Sequence, residues 1–169
     1  RVALDSRGEA MKAREPSKLP TDVYLSFVSS LFGNRGTLIT GVVVHVIWCA
    51  IVFSYTGSEF YLFAAAGFAL VFALRFYEFL RFDRVDKHPL TDAQIAQWER
   101  RYVAGATLTA LLLGTTSGHA MLVLRDSFVA FTCVAMTMGS MMSIVGRNYG
   151  SRWAVDYQTL GCCVPIILA

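Results

Sequence analysis

The stretch Val103–Leu124 contains no charged residue, and between Thr37 and Phe60 the only charge is Glu59. A soluble domain carries charge on roughly a quarter of its residues and spreads it over every surface element. Here 16% of residues are charged, 55% are hydrophobic and the charges are segregated into blocks, with a mean hydropathy of +0.50. Apolar runs of about 20 residues are what a helix needs to cross about 30 Å of hydrocarbon. The sequence predicts five such spans, Leu38–Tyr55, Phe60–Leu80, Tyr102–Leu124, Phe128–Val145 and Trp153–Ala169. Unpaired backbone groups cannot face lipid, and the runs lack the alternation of barrel strands. The expected fold class is all-α, a polytopic transmembrane helix bundle. It divides into a cytoplasmic segment over residues 1–36, with an interfacial amphipathic helix, and the bundle over 37–169.

Charge placement predicts the orientation. Six Lys and Arg precede the first span (Arg1, Arg7, Lys12, Arg14, Lys18, Arg35). Six more flank the second and third (Arg75, Arg81, Arg84, Lys87, Arg100, Arg101), two lie near the last turn (Arg147, Arg152), and Arg125 alone falls on the other side. Fourteen against one is a strong positive-inside pattern, which puts the N-terminus and the 81–101 loop in the cytoplasm. The fifth span then ends outside, so a sixth is expected beyond Ala169 if a cytoplasmic domain follows. A lipid bilayer is the expected environment, and no nucleic acid is expected as a partner.

Local patterns refine this layout. Residues 1–19 are polar and charged. From Pro20, Val23, Tyr24, Phe27, Val28, Leu31 and Phe32 fall at helical spacing opposite Asp22, Ser26, Ser29 and Ser30. Such a helix lies in the interface or packs on the protein's own polar part. Thr91 and Gln94 after Pro89 form a capping-box signature that opens a helix running into the third span. Glu99, Arg100 and Arg101 are expected as solvated anchors at headgroup level. Small residues recur every fourth position: Ala65, Ala69 and Ala73; Ala106, Ala110, Gly114 and Gly118; Ala135, Gly139 and Ser143. Ribbons of this kind let helices approach closely in lipid.

The candidate chemistry is sparse. An ionisable residue inside a span marks a functional site by default, and His45 in "VVVHVIW" is the first choice, with His119 second. The two differ in depth by roughly 15 Å at 1.5 Å per residue, too far to share one haem. Met136, Met138, Met141 and Met142 are expected as adaptable packing rather than copper ligands. The four cysteines fall inside spans without metal-ligand spacing. Arg75 with Glu78, and Arg152 with Asp156, are spaced for ion pairs on one helix face. "MSIVGRNYGSR" (142–152) lacks the Lys-Ser or Lys-Thr pair of a phosphate loop. It is expected as a turn at the cytoplasmic face, with Gly146 and Gly150 allowing it and Trp153 anchoring the next span. No catalytic arrangement and no cofactor are expected in these residues.

Two stretches, "QWERRYVAGA" (97–106) and "VGRNYGSR" (145–152), resemble the N-terminal membrane region of bacterial cyclic-di-GMP signalling proteins. In that family a bundle of about six helices precedes cytoplasmic GGDEF (diguanylate cyclase) and often EAL (phosphodiesterase) domains. Neither catalytic motif occurs in these residues. The resemblance implies a sensory or anchoring module in the bacterial inner membrane whose output domain lies outside this segment. It implies coupling through helix packing, often by homodimerisation, with Arg147 and Asn148 holding the cytoplasmic arrangement and His45 sensing. Two other classes stay open: an accessory subunit of a larger membrane complex, and a haem or redox membrane protein using His45.

Overall fold

The computed structural model describes residues 20–33, 35–87, 90–148 and 151–169, and at 144, 145 and 147 the backbone alone. The charged segment 1–19 and Gly150 lie outside the described residues. The described chain is all-helical: α1 (Thr21–Phe32), α2 (Arg35–Thr56), α3 (Phe60–Asp83), α4 (Asp92–His119), α5 (Ser127–Asn148) and α6 (Arg152–Ile167). Helix forms even through "VVVHVIW", where β-branched side chains would favour a strand in water. Away from water, intrahelical bonding is what satisfies the backbone, and it outweighs that preference.

Short connections make the helices antiparallel neighbours. Gly57 supplies the left-handed backbone (φ 69°) between α2 and α3, a conformation that costs a residue with a Cβ. At α4's start the Thr91 backbone N–H donates to Gln94 Oε1 at 2.9 Å. At its other end Ala120–Leu124 continue as a π-helical turn. Arg125, with φ 52°, closes that turn, and Asp126 Oδ1 accepts from the N–H groups of Phe128 and Val129 to start α5. Ser151 caps α6 by accepting from Ala154 N–H at 3.3 Å. One end of the bundle thus gathers Arg35, Arg81, Arg84, Arg101 and Arg152, and is called the basic end below.

Among the described residues three helical stretches are long and apolar enough to cross a membrane: the one containing α2, then α3, then α4 with its π turn. The polarity of the bundle is that of a protein immersed in lipid. Phe63 (73% exposed), Phe131 (74%) and Leu70 (62%) point outward, while Asn148 (0%) and Gln158 (1%) are enclosed. Threonines within the apolar helices return their hydroxyls to their own backbone, as Thr107 does to Val103 O and Thr115 to Leu111 O. The hydroxyl hydrogens of these threonines are then not left facing hydrocarbon.

Two clusters hold the bundle. The deeper one packs Tyr61, Phe68, Leu113, Val129, Cys133 and Cys162. The other, at the basic end, packs Phe32, Phe79, Phe82, Ile95, Trp98 and Tyr102. α1 belongs to the second cluster: Phe32 stacks on Phe82 at 4.3 Å and meets Trp98 edge-on. The Val28, Leu31 and Phe32 face of α1 packs into this cluster. α4 and α6 approach most closely, because a Cβ on Gly114 would lie 2.5 Å from Cys162 O and one on Gly118 2.7 Å from Pro165 O.

Candidate functional site

The basic half of the bundle holds a half-open cavity of about 540 Å³ bounded by α2 through α6. Its most polar wall is built on Arg75 of α3. The stem of Arg75 crosses to α4 over Gly105, where a Cβ would come within 2.8 Å of Arg75 Cγ. Arg75 Nη1 donates to Thr109 Oγ1 at 3.3 Å, and the guanidinium lies 5.4 Å over the Tyr102 ring. The ring's negative face adds to the attraction.

Tyr102 continues the polar wall. Its hydroxyl donates to Asn148 Oδ1 at 3.1 Å, and Asn148 Nδ2 donates to Gln158 Oε1 at 3.1 Å. One chain of hydrogen bonds thereby ties α4, α5 and α6 together along the cavity wall. Across the cavity, His45 Nδ1 lies 2.5 Å from Gly41 O. A carbonyl only accepts, so Nδ1 carries the proton and Nε2 of the neutral ring accepts from Ser140 Oγ at 3.1 Å. The imidazole rests against Phe68, ring centroids 5.1 Å apart. His45 and Ser140 bridge α2 and α5.

Several residues singled out in the sequence meet at this cavity. His45, Asn148, Ala106, Ala135, Gly139 and Ser143 all line it. Arg147 occupies the last turn of α5, and its side chain lies outside the described residues. Ala110 and Gly114 face α6, Gly161 of that helix having Ala110 Cβ 3.3 Å from where its own Cβ would be, and Gly118 sits against Pro165. The α5 ribbon differs from the α4 ribbon, since Gly139 has nothing within 4 Å of a Cβ position. It opens space rather than closing a helix contact.

Other expectations are corrected. Ala69 and Ala73 are exposed on the outer face of α3, and its close approach is instead Gly67 against Leu112 at 3.4 Å. Gly146 lies within α5, not in the turn. Glu78 is bridged by Arg81 at 3.5 Å and Arg101 at 3.4 Å, because α4 brings Arg101 beside α3. Among the described residues no ion pair joins Arg152 to Asp156. Glu99 is not a solvated anchor: it accepts from Tyr24 Oη at 2.5 Å and Ser151 Oγ at 2.6 Å, linking α1, α4 and α6. His119 lies elsewhere, stacked at 3.9 Å on Phe60 at the end opposite the basic one.

Gly105, Ser140, Ser151 and Gln158 were not singled out in the sequence. Ser151 alone carried a usable signal, a serine directly before an apolar helical run. Among the described residues no group of three or more His, Cys, Asp or Glu side chains converges.

Fold and site together define, among the described residues, an all-helical bundle with helices long and apolar enough to cross a membrane and a polar cavity in its basic half. Comparisons with protein families, curated proteins and solved structures each find no match.

Proposed function

We propose that this chain is the membrane-embedded sensory or anchoring module of a cyclic-di-GMP signalling protein. In this reading α2 to α6 all span the bilayer, and the basic end faces the cytoplasm, where an output domain would act. One observation carries the reading. The two stretches that bear the resemblance, 97–106 and 145–152, lie against each other at the basic end. Tyr102 bonds Asn148 and Glu99 bonds Ser151, each bond running from one stretch to the other. Residues so placed couple the packing of α4, α5 and α6 to whatever is attached at that face. A two-state rearrangement of such a network is the physical element that coupling requires.

The deciding experiment is the intact mass of the native polypeptide with peptide mapping beyond Ala169. A mass several-fold above 18.7 kDa, with peptides carrying GGDEF or EAL motifs, supports the proposal. A mass near that of the chain itself sinks it and leaves an accessory membrane subunit as the better account.

A further inference from the structure

We infer that the cavity opening between α2 and α5 binds the head of a lipid-soluble quinone arriving from the bilayer. The inference rests on the reading above in one respect, that this ligand would be the module's stimulus.

The charge in the wall is already answered, so the ligand is uncharged. Arg75 is held by Thr109 and by the Tyr102 ring and is engaged further. His45 is a neutral ring whose Nε2 accepts from Ser140. The described lining holds no Asp, Glu or Lys. A charged ligand would be desolvated there without a group to compensate it, which is costly.

The polar lining says what else the ligand carries. Ten polar side chains face the cavity, and most are satisfied within the protein: Arg75 by Thr109, Tyr102 by Asn148, Asn148 by Gln158, Ser140 by His45. Thr37 is engaged as well. Three have capacity left. Gln158 is 1% exposed and its Oε1 accepts from Asn148, but among the described residues nothing accepts from its Nε2. Ser143 on α5 and Thr40 on α2 make no hydrogen bond among the described residues. Exposed threonines elsewhere, Thr115 and Thr132, return their hydroxyls to their own helix. A buried amide N–H without an acceptor costs free energy, and a ligand oxygen removes that cost.

Gln158 lies at the buried end of the cavity, and Ser143 with Thr40 at its exposed mouth. The ligand therefore presents oxygens at two separate edges. Phe68, Phe72, Leu113 and Met136 make the rest of the wall apolar and suit a flat ring. A ring with carbonyl oxygens on opposite edges meets both demands, whereas an alcohol or ester lipid has its oxygens at one end only. The cavity's 540 Å³ falls within the roughly 300–1,000 Å³ of small-molecule sites. Val44 and Ala135, exposed along the same gap, leave an apolar path for the tail.

The test uses the full chain in nanodiscs of zwitterionic lipid, photolabelled with a fully substituted azidoquinone carrying a decyl tail and mapped by peptide. Labelling is expected in α2, α5 and α6 and is competed by the same quinone without the azide. Its benzene counterpart, with the tail but no carbonyls, should compete about tenfold less well, the value of a hydrogen bond or two. Gln158→Met keeps the side chain's length but not its N–H, and should weaken competition by about the same factor. Gly139→Leu should abolish labelling by filling the cavity, and its side chain enters open space, so the fold survives even if Gln158→Met does not. Labelling spread over the outer faces of α3 and α5, near Phe63 and Phe131, would mark partition into the bilayer and overturn the inference. So would labelling unchanged by Gly139→Leu, or competition by palmitate or hexadecanol as strong as by the quinone. Occupancy is read on this chain alone, so it fails independently of the native mass that tests the signalling role.

Discussion

Tyr102 and Asn148, forty-six positions apart in sequence, meet through a 3.1 Å hydrogen bond inside the bundle, and Asn148 passes the connection on to Gln158. Replacing Tyr102 by Phe leaves Asn148 Oδ1 without this donor. The expected loss is about 1 kcal/mol, the scale of an interhelical hydrogen bond in a membrane protein. Asn148→Leu strands both neighbours and should cost about 2–3 kcal/mol. Thermal unfolding in detergent, followed by near-ultraviolet circular dichroism, reads both. Equal, negligible losses would mean the chain of bonds does not hold α4, α5 and α6 together.

The start of α4 was legible because capping chemistry is local: Thr91 and Gln94 sit within one turn of each other. The apolar runs were legible for the same reason, since charge segregation is a property of consecutive residues. The cavity was not. Whether a glycine closes a helix contact, as Gly114 does, or opens a space, as Gly139 does, depends on how each helix is rotated about its axis, and a four-residue period carries no such phase. Arg75 and Glu78 had the spacing of a pair, but Arg101 reaches Glu78 from another helix. Glu99 read as an anchor because nothing in its neighbourhood announces Tyr24, seventy-five positions away.

Tyr24 makes the attachment of α1 sensitive to alkali. Burial first, then the hydrogen bond to Glu99 and the nearby negative charge, push its phenol above the ordinary tyrosine value. A phenol whose folded pKa exceeds its unfolded one contributes no pH dependence below about pH 10, where both states are protonated. Above it the unfolded or detached form loses its proton first, so stability falls as pH rises. The stabilisation is fully present at neutral pH and is lost as pH rises from the unfolded value through the folded one. Melting temperatures of wild type and Tyr24→Phe should therefore converge above about pH 10. A difference that widens with pH would contradict the Tyr24–Glu99 bond as drawn.

Orientation is open to cysteine labelling. Glu59 and Arg84 are exposed at opposite ends of α3, and the native cysteines are buried or half-buried. A membrane-impermeant maleimide added to intact spheroplasts should label Glu59→Cys. It should reach Arg84→Cys only after permeabilisation, since the excess of Lys and Arg stays inside. Adding Ala169→Cys tests α6: external labelling means that this helix crosses. The reverse pattern at 59 and 84 would invert the bundle and remove the basis for a cytoplasmic output.

Gly114 and Gly139 separate the two uses of small residues most sharply. A methyl on Gly114 would lie 2.5 Å from Cys162 O and 2.7 Å from Gly161 O. Both obstacles are backbone atoms of a regular helix, so neither can yield by changing rotamer. α4 and α6 must then move apart, which also loosens Gly118 against Pro165. Gly114→Ala should cost about 1–3 kcal/mol, the range for overpacking a filled interior. Gly139→Ala meets nothing within 4 Å and replaces a poor helix former by the best one. It should leave stability unchanged or raise it by up to about 1 kcal/mol. Unfolding of the two variants in the same detergent decides the matter. If Gly139→Ala falls as far as Gly114→Ala, α5 is packed against a neighbour and the cavity beside it is closed. If neither falls, the close approach of α4 and α6 is not what holds the bundle.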